Sequence, residues 1–388
     1  MERKNVLLVT WFKSDNYGTC LQAYATQELL QPIANVLVLD RRTYYGISEL
    51  PYALKKIKNK IKAIVTKKRR LGQDDFTTQR ESKQRKNEVF TRENYNTVSI
   101  TCKNDIRRID EWVDCYVVGS DQMWNPWLVT PAYLLDFIPA DSTKRRYAFS
   151  ASFGVDNIPK NRQSIYKKYL PRFDQIYVRE PRAAELISEL TQKKAEAVLD
   201  PTLLLDRSKW NTFAKHSTIL QNYNLKDEKF ILCYFIGSQE FDYFETISRI
   251  SEILHCRIII LPMRECDYNI KGKSITVISD ACMYDFVSLI SNAVLVCTDS
   301  FHAVVFSFLM ETPFYCFPRF RRDDMYSQES RLSNIIRKFG LENSYWNNNL
   351  GVDGIKKHLL CDYTHGYEVL EKERNDCIQK LYAMICEE

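Results

Sequence analysis

Apolar positions along the chain fall into short runs separated by amphipathic stretches, and the alternation repeats from end to end. In the first half the strand-like runs are Val6 to Thr10, Val36 to Leu39, Cys115 to Val118, Tyr147 to Ser150, Gln175 to Val178 and Ala197 to Leu199, with helical patterns over Cys20 to Leu30 and Arg182 to Leu190. After Asp200-Pro201 the alternation begins again: Phe230 to Ile236, a helix near Tyr243 to Leu254, Arg257 to Leu261, Thr276 to Ile278, a helix near Met283 to Asn292, Val294 to Cys297, a helix from Phe301 to Leu309, and Phe314 to Phe317. Strands that read as near-continuous apolar runs are buried on both faces, and helices between them serve as parallel crossovers. The pattern therefore predicts an α/β fold built twice, over 1–206 and 207–388. The boundary follows from the strand ending at Leu199 and from Ser208, which can cap a helix opening at Lys209-Trp210. A last periodicity, Val369 to Ile385, predicts a terminal helix able to pack back on the first block.

The 388 residues, at about 150 per domain, suit two or three domains. With 45% hydrophobic and 27% charged residues, the chain is not disordered, collagen-like or membrane-embedded. Its first apolar run, Val6 to Val9, is too short for a signal-peptide core or a membrane span, so a cytoplasmic protein is expected. The twelve cysteines contain no Cys-x-x-Cys pair and several lie in apolar runs, the pattern of buried free thiols.

Charge changes the picture only locally. Lys55, Lys56, Lys58, Lys60, Lys62, Lys67, Lys68, Arg69 and Arg70 fall in a stretch without acids, and removing these nine bases takes the formal charge from +6 to −3. That argues against a nucleic-acid partner, which would call for a basic field over the folded domains. Leu54, Ile57, Ile61, Ile64 and Val65 share one face of the same stretch, a basic amphipathic helix within an insertion at about 50–92. It reads either as a solvated helix packed on the first domain or as one that contacts an anionic membrane at its inner face.

Several chemistries are missing. Gly272-Lys273-Ser274 resembles the end of a P-loop, but the upstream glycine position holds Asp267. There is no G-x-G-x-x-G, no H-E-x-x-H and no Asp-x-Asp, and the five histidines are dispersed, so no metal site is expected.

In parallel α/β domains, ligands gather beyond the carboxyl ends of strands, at helix amino termini. Four junctions of this kind carry candidate residues. After Val6 to Thr10, Asn16 and Gly18 allow a tight turn and a close approach to the backbone. After Cys115 to Val118 come Ser120 and Asp121, the latter an acid–base candidate or a helix cap. Arg179 ends the strand Gln175 to Val178 and suits bidentate capture of a carboxylate or phosphate, or a structural pair with Glu180 or Asp174. Asp299 or Ser300 can cap the helix from Phe301, placing His302 in a first turn suited to a phosphate and to proton transfer near neutrality.

Taken together and in order, the junctions resemble the polysaccharide pyruvyl transferase family. The resemblance rests on Asn16-Tyr17-Gly18 with Leu21-Gln22-Ala23-Tyr24; Gly119 to Asn125; Tyr147 to Gly154; Val178-Arg179-Glu180; Asp200-Pro201-Thr202; and Ser300-Phe301-His302-Ala303 with Phe306-Ser307. It implies two Rossmann-like domains facing a cleft, similar to GT-B enzymes, and a transferase that moves pyruvate from phosphoenolpyruvate to a sugar of a surface glycan or its lipid-linked precursor, as a ketal. No cofactor is implied beyond that co-substrate. By the same resemblance, Arg179, His302 and Ser300 belong to donor binding, His302 and Asp121 to catalysis, and Asn16, Gly18 and Ser120 to the cleft. One departure stands out: some members carry an arginine where this chain has Ser300, and Arg319, Arg321, Arg322 or Arg331 are candidates to supply that charge. The architecture alone leaves open a GT-B glycosyltransferase using a nucleotide sugar, or a non-catalytic glycan-assembly protein.

Overall fold

The computed structural model of the protein describes residues 3–40, 74–237, 243–264, 266–267, 270, 272–319, 329–347 and 351–386. The predicted basic helix of Leu54 to Val65 lies outside the described residues. Two parallel sheets organise the chain. The first runs through β1 (Lys4–Val9), helix α1 (Tyr17–Leu30), β2 (Ala34–Asp40), α2 (Asp74–Asn94), β3 (Thr97–Ser99), α3 (Lys103–Trp112), β4 (Cys115–Val118), β5 (Arg145–Ala151), β6 (Gln175–Val178), α4 (Pro181–Thr191) and β7 (Glu196–Ala197). Its strand order is β3-β2-β1-β4-β5-β6-β7.

After α5 (Arg207–Ala214), the second sheet is built from β8 (Phe230–Tyr234), α6 (Phe244–Leu254), β9 (Arg257–Ile260), β10 (Ile275–Val277), α7 (Met283–Asn292), β11 (Leu295–Thr298), α8 (Phe301–Leu309) and β12 (Phe314–Cys316), in the order β10-β9-β8-β11-β12. The helices α9 (Glu329–Lys338) and α10 (Thr364–Cys386) follow. In both sheets the chain first builds outward from one side of the starting strand, then crosses to the other. The switch lies between β1 and β4 in the first sheet and between β8 and β11 in the second.

Each central strand is apolar because neither face meets water: Val6, Leu7 and Leu8 of β1, and Ile231 and Leu232 of β8, have no solvent exposure. Alternate residues feed different cores. Val6 and Leu8 join a core that continues into the second sheet's helices, while Leu7 and Val9 face a core confined to the first.

The halves are joined by an aromatic seam. Tyr17 stacks on Phe286 at 4.8 Å, and Trp210 of α5 lies edge-on to Phe306 at 4.8 Å and within 6.0 Å of Tyr24. Helix α2 crosses the same seam, with Phe90 against Tyr284 at 5.2 Å and Lys86 paired with Asp280 at 2.7 Å. The C-terminal helix α10 packs back on the end of the first block. Arg374 donates to the Leu203 carbonyl at 3.0 Å, and Lys380 pairs with Glu196 at 3.1 Å.

Differences from the sequence-based expectation are local. The strand foreseen over Ala197 to Leu199 is only Glu196–Ala197, because Asp200 opens a short helix, Pro201–Leu204. Helix α5 starts at Arg207 with Asp206 before it, ahead of the expected opening at Lys209-Trp210. The three-residue strand β3 was not foreseen, having too few apolar positions to display a period, while the largely polar α2 falls mostly within the helical insertion expected at about 50–92.

Trp210 tests the seam. It is fully buried and its indole N–H donates to the Thr202 carbonyl at 3.0 Å, so Trp210→Ala opens a cavity and orphans an acceptor. Denaturant unfolding of the variant is expected to show a loss of about 3–5 kcal/mol.

Candidate functional site

The two switch points face each other, and the junction loops of β1, β4, β8 and β11 converge there. Asn16 ends the loop after β1 and caps α1, its Oδ1 accepting from the Gly18 N–H at 3.0 Å. The same Oδ1 lies 3.4 Å from the Tyr234 hydroxyl at the end of β8, a contact between the halves. Opposite, Ser300 caps α8 by accepting from the Ala303 N–H, which sets His302 in the first turn. Asp299 is committed elsewhere, accepting from the Ile236 and Gly237 N–H groups at 2.7 and 2.8 Å. Burial raises the Asp299 carboxyl, although those N–H groups and Arg319 oppose the effect.

His302 packs directly on Gly18. A Cβ added at Gly18 would stand 2.2 Å from the imidazole Cγ and 2.3 Å from Nδ1, so no larger residue fits while the ring keeps its place. Gly119 is required on other grounds: its φ is +123° and an added Cβ would meet the Phe149 carbonyl oxygen at 2.1 Å. The Gly119-Ser120 peptide is cis, and Asp121 follows with φ of 71°.

A buried carboxylate, Asp200, holds the centre. Its Oδ1 accepts from the Thr202 N–H at 3.0 Å and hydroxyl at 2.7 Å. Its Oδ2 accepts from the Ser120 hydroxyl at 2.9 Å and from Arg179 Nη1 at 3.1 Å, and lies 3.7 Å from His302 Nε2. The last distance is too long for a formed hydrogen bond. Burial by itself would raise this carboxyl. The contacts from His302, Arg179 and Thr202 outweigh it and hold the group well below the usual carboxylate range. The aspartate therefore stays ionised and orients both the imidazole and the guanidinium.

Arg179 differs from the expectation of a free fork for an anion. Nε donates to Glu180 at 3.0 Å and Nη1 to Asp200, with Asp121 at 3.8 Å, so the protein's own carboxylates occupy two of its nitrogens. Of the two structural partners considered for it, Glu180 is present, while Asp174 pairs with Arg145 instead. Burial opposes the Arg179 charge, but Glu180, Asp200 and Asp121 raise the guanidinium above its ordinary value. Nη2 remains buried without a hydrogen-bond partner among the described residues, as does Glu180 Oε2. The guanidinium lies 4.5 Å from the centre of the Phe301 ring.

All the sequence-predicted site residues thus meet in one region. His302, Arg179 and Ser120 converge on Asp200, and Gly18 lies under His302. Asp121 is no helix cap. It accepts from the Thr19 hydroxyl at 2.9 Å and lies beside Arg179. Ser300 is buried, its hydroxyl committed to capping α8 and its N–H donating to Thr298 at 3.0 Å.

Of the arginines considered as replacements for the charge absent at position 300, Arg319 lies beside Gly237 and Asp299, and Arg331 lies near Arg179. Arg321 and Arg322 are outside the described residues. Burial, then the Arg179 charge, pushes the Arg331 guanidinium downward, while Glu180 and Asp121 oppose the effect. Arg179, Asp200, Phe301 and Arg331 line a cavity of about 280 Å³ at this end of the cleft.

The central role of Asp200 was not assigned from the chain, although Asp200-Pro201-Thr202 was part of the resemblance. Its only local signal is a helix-capping pattern. Thr19 acquires meaning only through a neighbour distant in sequence, Asp121, while Glu180 and Arg331, already candidates, take their places beside Arg179. Among the described residues, no group of three or more His, Cys, Asp or Glu is placed to hold a metal ion.

A model of the family described as polysaccharide pyruvyl transferase matches residues 16–319, and the chain belongs to that family. No curated protein sequence matches it. Among solved structures, it is similar to a putative UDP-N-acetylglucosamine 2-epimerase from Listeria monocytogenes, with 13% identity, TM-score 0.52 and coverage of 100% of this chain and 98% of the other. It is also similar to the S. aureus MnaA-UDP co-structure (10% identity, TM-score 0.55, 98% and 96% covered) and to the UDP-GlcNAc 2-epimerase of Methanocaldococcus jannaschii (12%, TM-score 0.53, 96% and 99%). At these identities the likeness speaks for the fold alone, which is GT-B-like.

Two variants test the geometry. Gly18→Ala is expected to displace His302 and to lower turnover about 100-fold or more while melting within a few degrees of wild type, read by steady-state kinetics and calorimetry. Asp200→Asn removes the ion that compensates buried Arg179 and is expected to cost about 3–5 kcal/mol at neutral pH. Because the folded Asp200 carboxyl lies below its unfolded value of about 4, its contribution is fully present above that pH and is lost as the pH falls through the folded value. Unfolding titrations should therefore find weaker acid destabilisation in the Asn variant than in wild type.

Proposed function

We propose that the protein transfers pyruvate from phosphoenolpyruvate to two hydroxyls of one sugar in a surface glycan or its lipid-linked precursor. The observation that carries this reading is the convergence of His302, Arg179 and Asp200 between the two switch points, in a chain of this family. The donor is a small molecule with two anionic ends. The cationic cavity beside Arg179 and Arg331 matches that charge, and a helix amino terminus adds partial positive charge at His302.

In the proposed reaction, His302 delivers a proton to the methylene carbon, making the neighbouring carbon electrophilic. One sugar hydroxyl attacks that carbon and loses its proton, the carbon–oxygen bond to phosphate breaks, and phosphate departs. The second hydroxyl then closes the ketal, its proton returning to the imidazole, while the first hydroxyl's proton leaves with the phosphate. Asp200 holds the imidazole in position throughout. Asp121, next to Arg179 and Thr19, is the candidate base on the acceptor side. Among the described residues no helix is long and apolar enough to cross a membrane, and a lipid-linked acceptor would be met at the membrane's inner face.

The test is incubation with phosphoenolpyruvate and a panel of glycans, following phosphate release and the methyl resonance of a pyruvate ketal. Glycan-dependent release of both supports the reading, and His302→Ala is expected to lower the rate by about 100- to 10,000-fold with little change in melting temperature. Release of a nucleoside diphosphate from a nucleotide sugar, with phosphoenolpyruvate inert, would replace this reading with a glycosyltransferase. Glycan binding without turnover of either donor would leave an assembly protein.

A further inference from the structure

We infer that a neutral sugar unit binds in a second pocket, between the loop after β1 and helix α2. This rests on the glycan acceptor of the proposed function and assigns it a site. The pocket has a volume of about 730 Å³, within the range of about 300–1,000 Å³ usual for small-molecule sites. It is much larger than the 280 Å³ cavity at Arg179.

The two cavities differ in chemistry as well as size. The cavity at Arg179 is lined by Arg179, Arg331, Arg337 and Lys338 against Glu180 and Asp200, a cationic excess that suits an anionic donor. The larger pocket sets Lys13, itself paired with Asp40, and Arg92 against Asp15 and Glu88, so among the described residues it has no cationic excess. Between those groups stand the carboxamides of Gln84 and Asn87 and the rings of Phe12 and Tyr95. Carboxylates and carboxamides hydrogen-bond hydroxyls, and aromatic rings pack on the apolar faces of a pyranose, so the lining matches an uncharged polyol.

A separate observation points to a missing partner. Asn87 donates through Nδ2 to the Ser14 carbonyl at 3.4 Å, but its Oδ1 is buried with no hydrogen-bond partner among the described residues. Buried acceptors are rarely left unpaired in folded proteins, and a ligand hydroxyl supplies the donor required.

The pocket also adjoins the reaction centre. Ser14 and Cys20, both in its wall, flank the turn in which Asn16 caps α1 and Gly18 supports His302. Cys20 Sγ donates to the Ser14 carbonyl at 3.4 Å, tying the turn to the pocket wall. A sugar held there lies against the turn on which His302 packs.

The experiment uses the intact protein with methyl glycosides of glucose, galactose and mannose as probes, read by saturation-transfer NMR, and with phosphoenolpyruvate binding read separately by thermal shift. Asn87→Leu removes a carboxamide of the lining and Glu88→Gln an exposed carboxylate. Each is expected to weaken glycoside binding about 10-fold or more and to leave the phosphoenolpyruvate shift unchanged. Failure of every glycoside to bind the wild type, or binding unchanged in both variants, overturns the assignment. If glycan-dependent phosphate release proceeds with an unaltered acceptor KM in both variants, the pocket assignment falls while the transferase reading stands. If the variants abolish glycoside binding but no donor is turned over, the pocket stands and the transferase reading falls.

Discussion

The ionised carboxylate of Asp200, with no side-chain exposure, is the constraint from which the rest of the centre follows. A lone buried charge is intolerable, so every group around it is chosen to compensate: two donors from Thr202, the Ser120 hydroxyl, the Arg179 guanidinium and the nearby imidazole. These partners come from the ends of β4 and β6, from the carboxylate's own helix, and from the second sheet's α8. One side chain thereby links the two halves of the molecule chemically, while the aromatic seam links them mechanically. Removing one partner would leave the others uncompensated in a medium of low dielectric, so the cluster is a cooperative unit.

Such a cluster costs stability to assemble, and its location makes sense of that cost. Parallel sheets concentrate helix amino termini and free N–H groups at their carboxyl edges, above all where the strand order reverses. Two such edges are opposed here, held by Tyr17 against Phe286 and by Trp210 against Phe306. The cavity at Arg179 and Arg331 carries a cationic excess, and the larger one beside α2 is lined by charges of both signs, carboxamides and rings. His302 lies on Gly18, its ring accommodated because that position has no side chain.

Much of this was legible along the chain. Both sheets, the alternation of strands and helices, the return of the terminal helix and the four chemically loaded junctions follow from local physics: apolar runs buried on both faces, capping residues, and glycines where backbones must turn or approach. Asn16, Gly18, Ser120, Asp121, Arg179, Ser300 and His302 could be named as candidates because each stands at a strand-to-helix transition. What stayed hidden was partnership. Arg179 read as an anion clamp or a structural partner of Glu180 or Asp174, and only the structure adds distant Asp200 to Glu180 on its nitrogens. Ser300 read both as a donor ligand and as a helix cap, and its hydroxyl serves the cap.

The sequence by itself determined the elements and the residue types waiting at their ends, since hydrophobic period and capping depend on neighbours a few positions away. Only the tertiary structure decided that Asp200 is the shared counter-ion, that Arg331 stands near Arg179 to charge the cavity, and that α2 walls a second pocket. Those facts depend on how the halves dock, through contacts between residues separated by more than 200 positions. No local pattern encodes which distant carboxylate a buried guanidinium will meet.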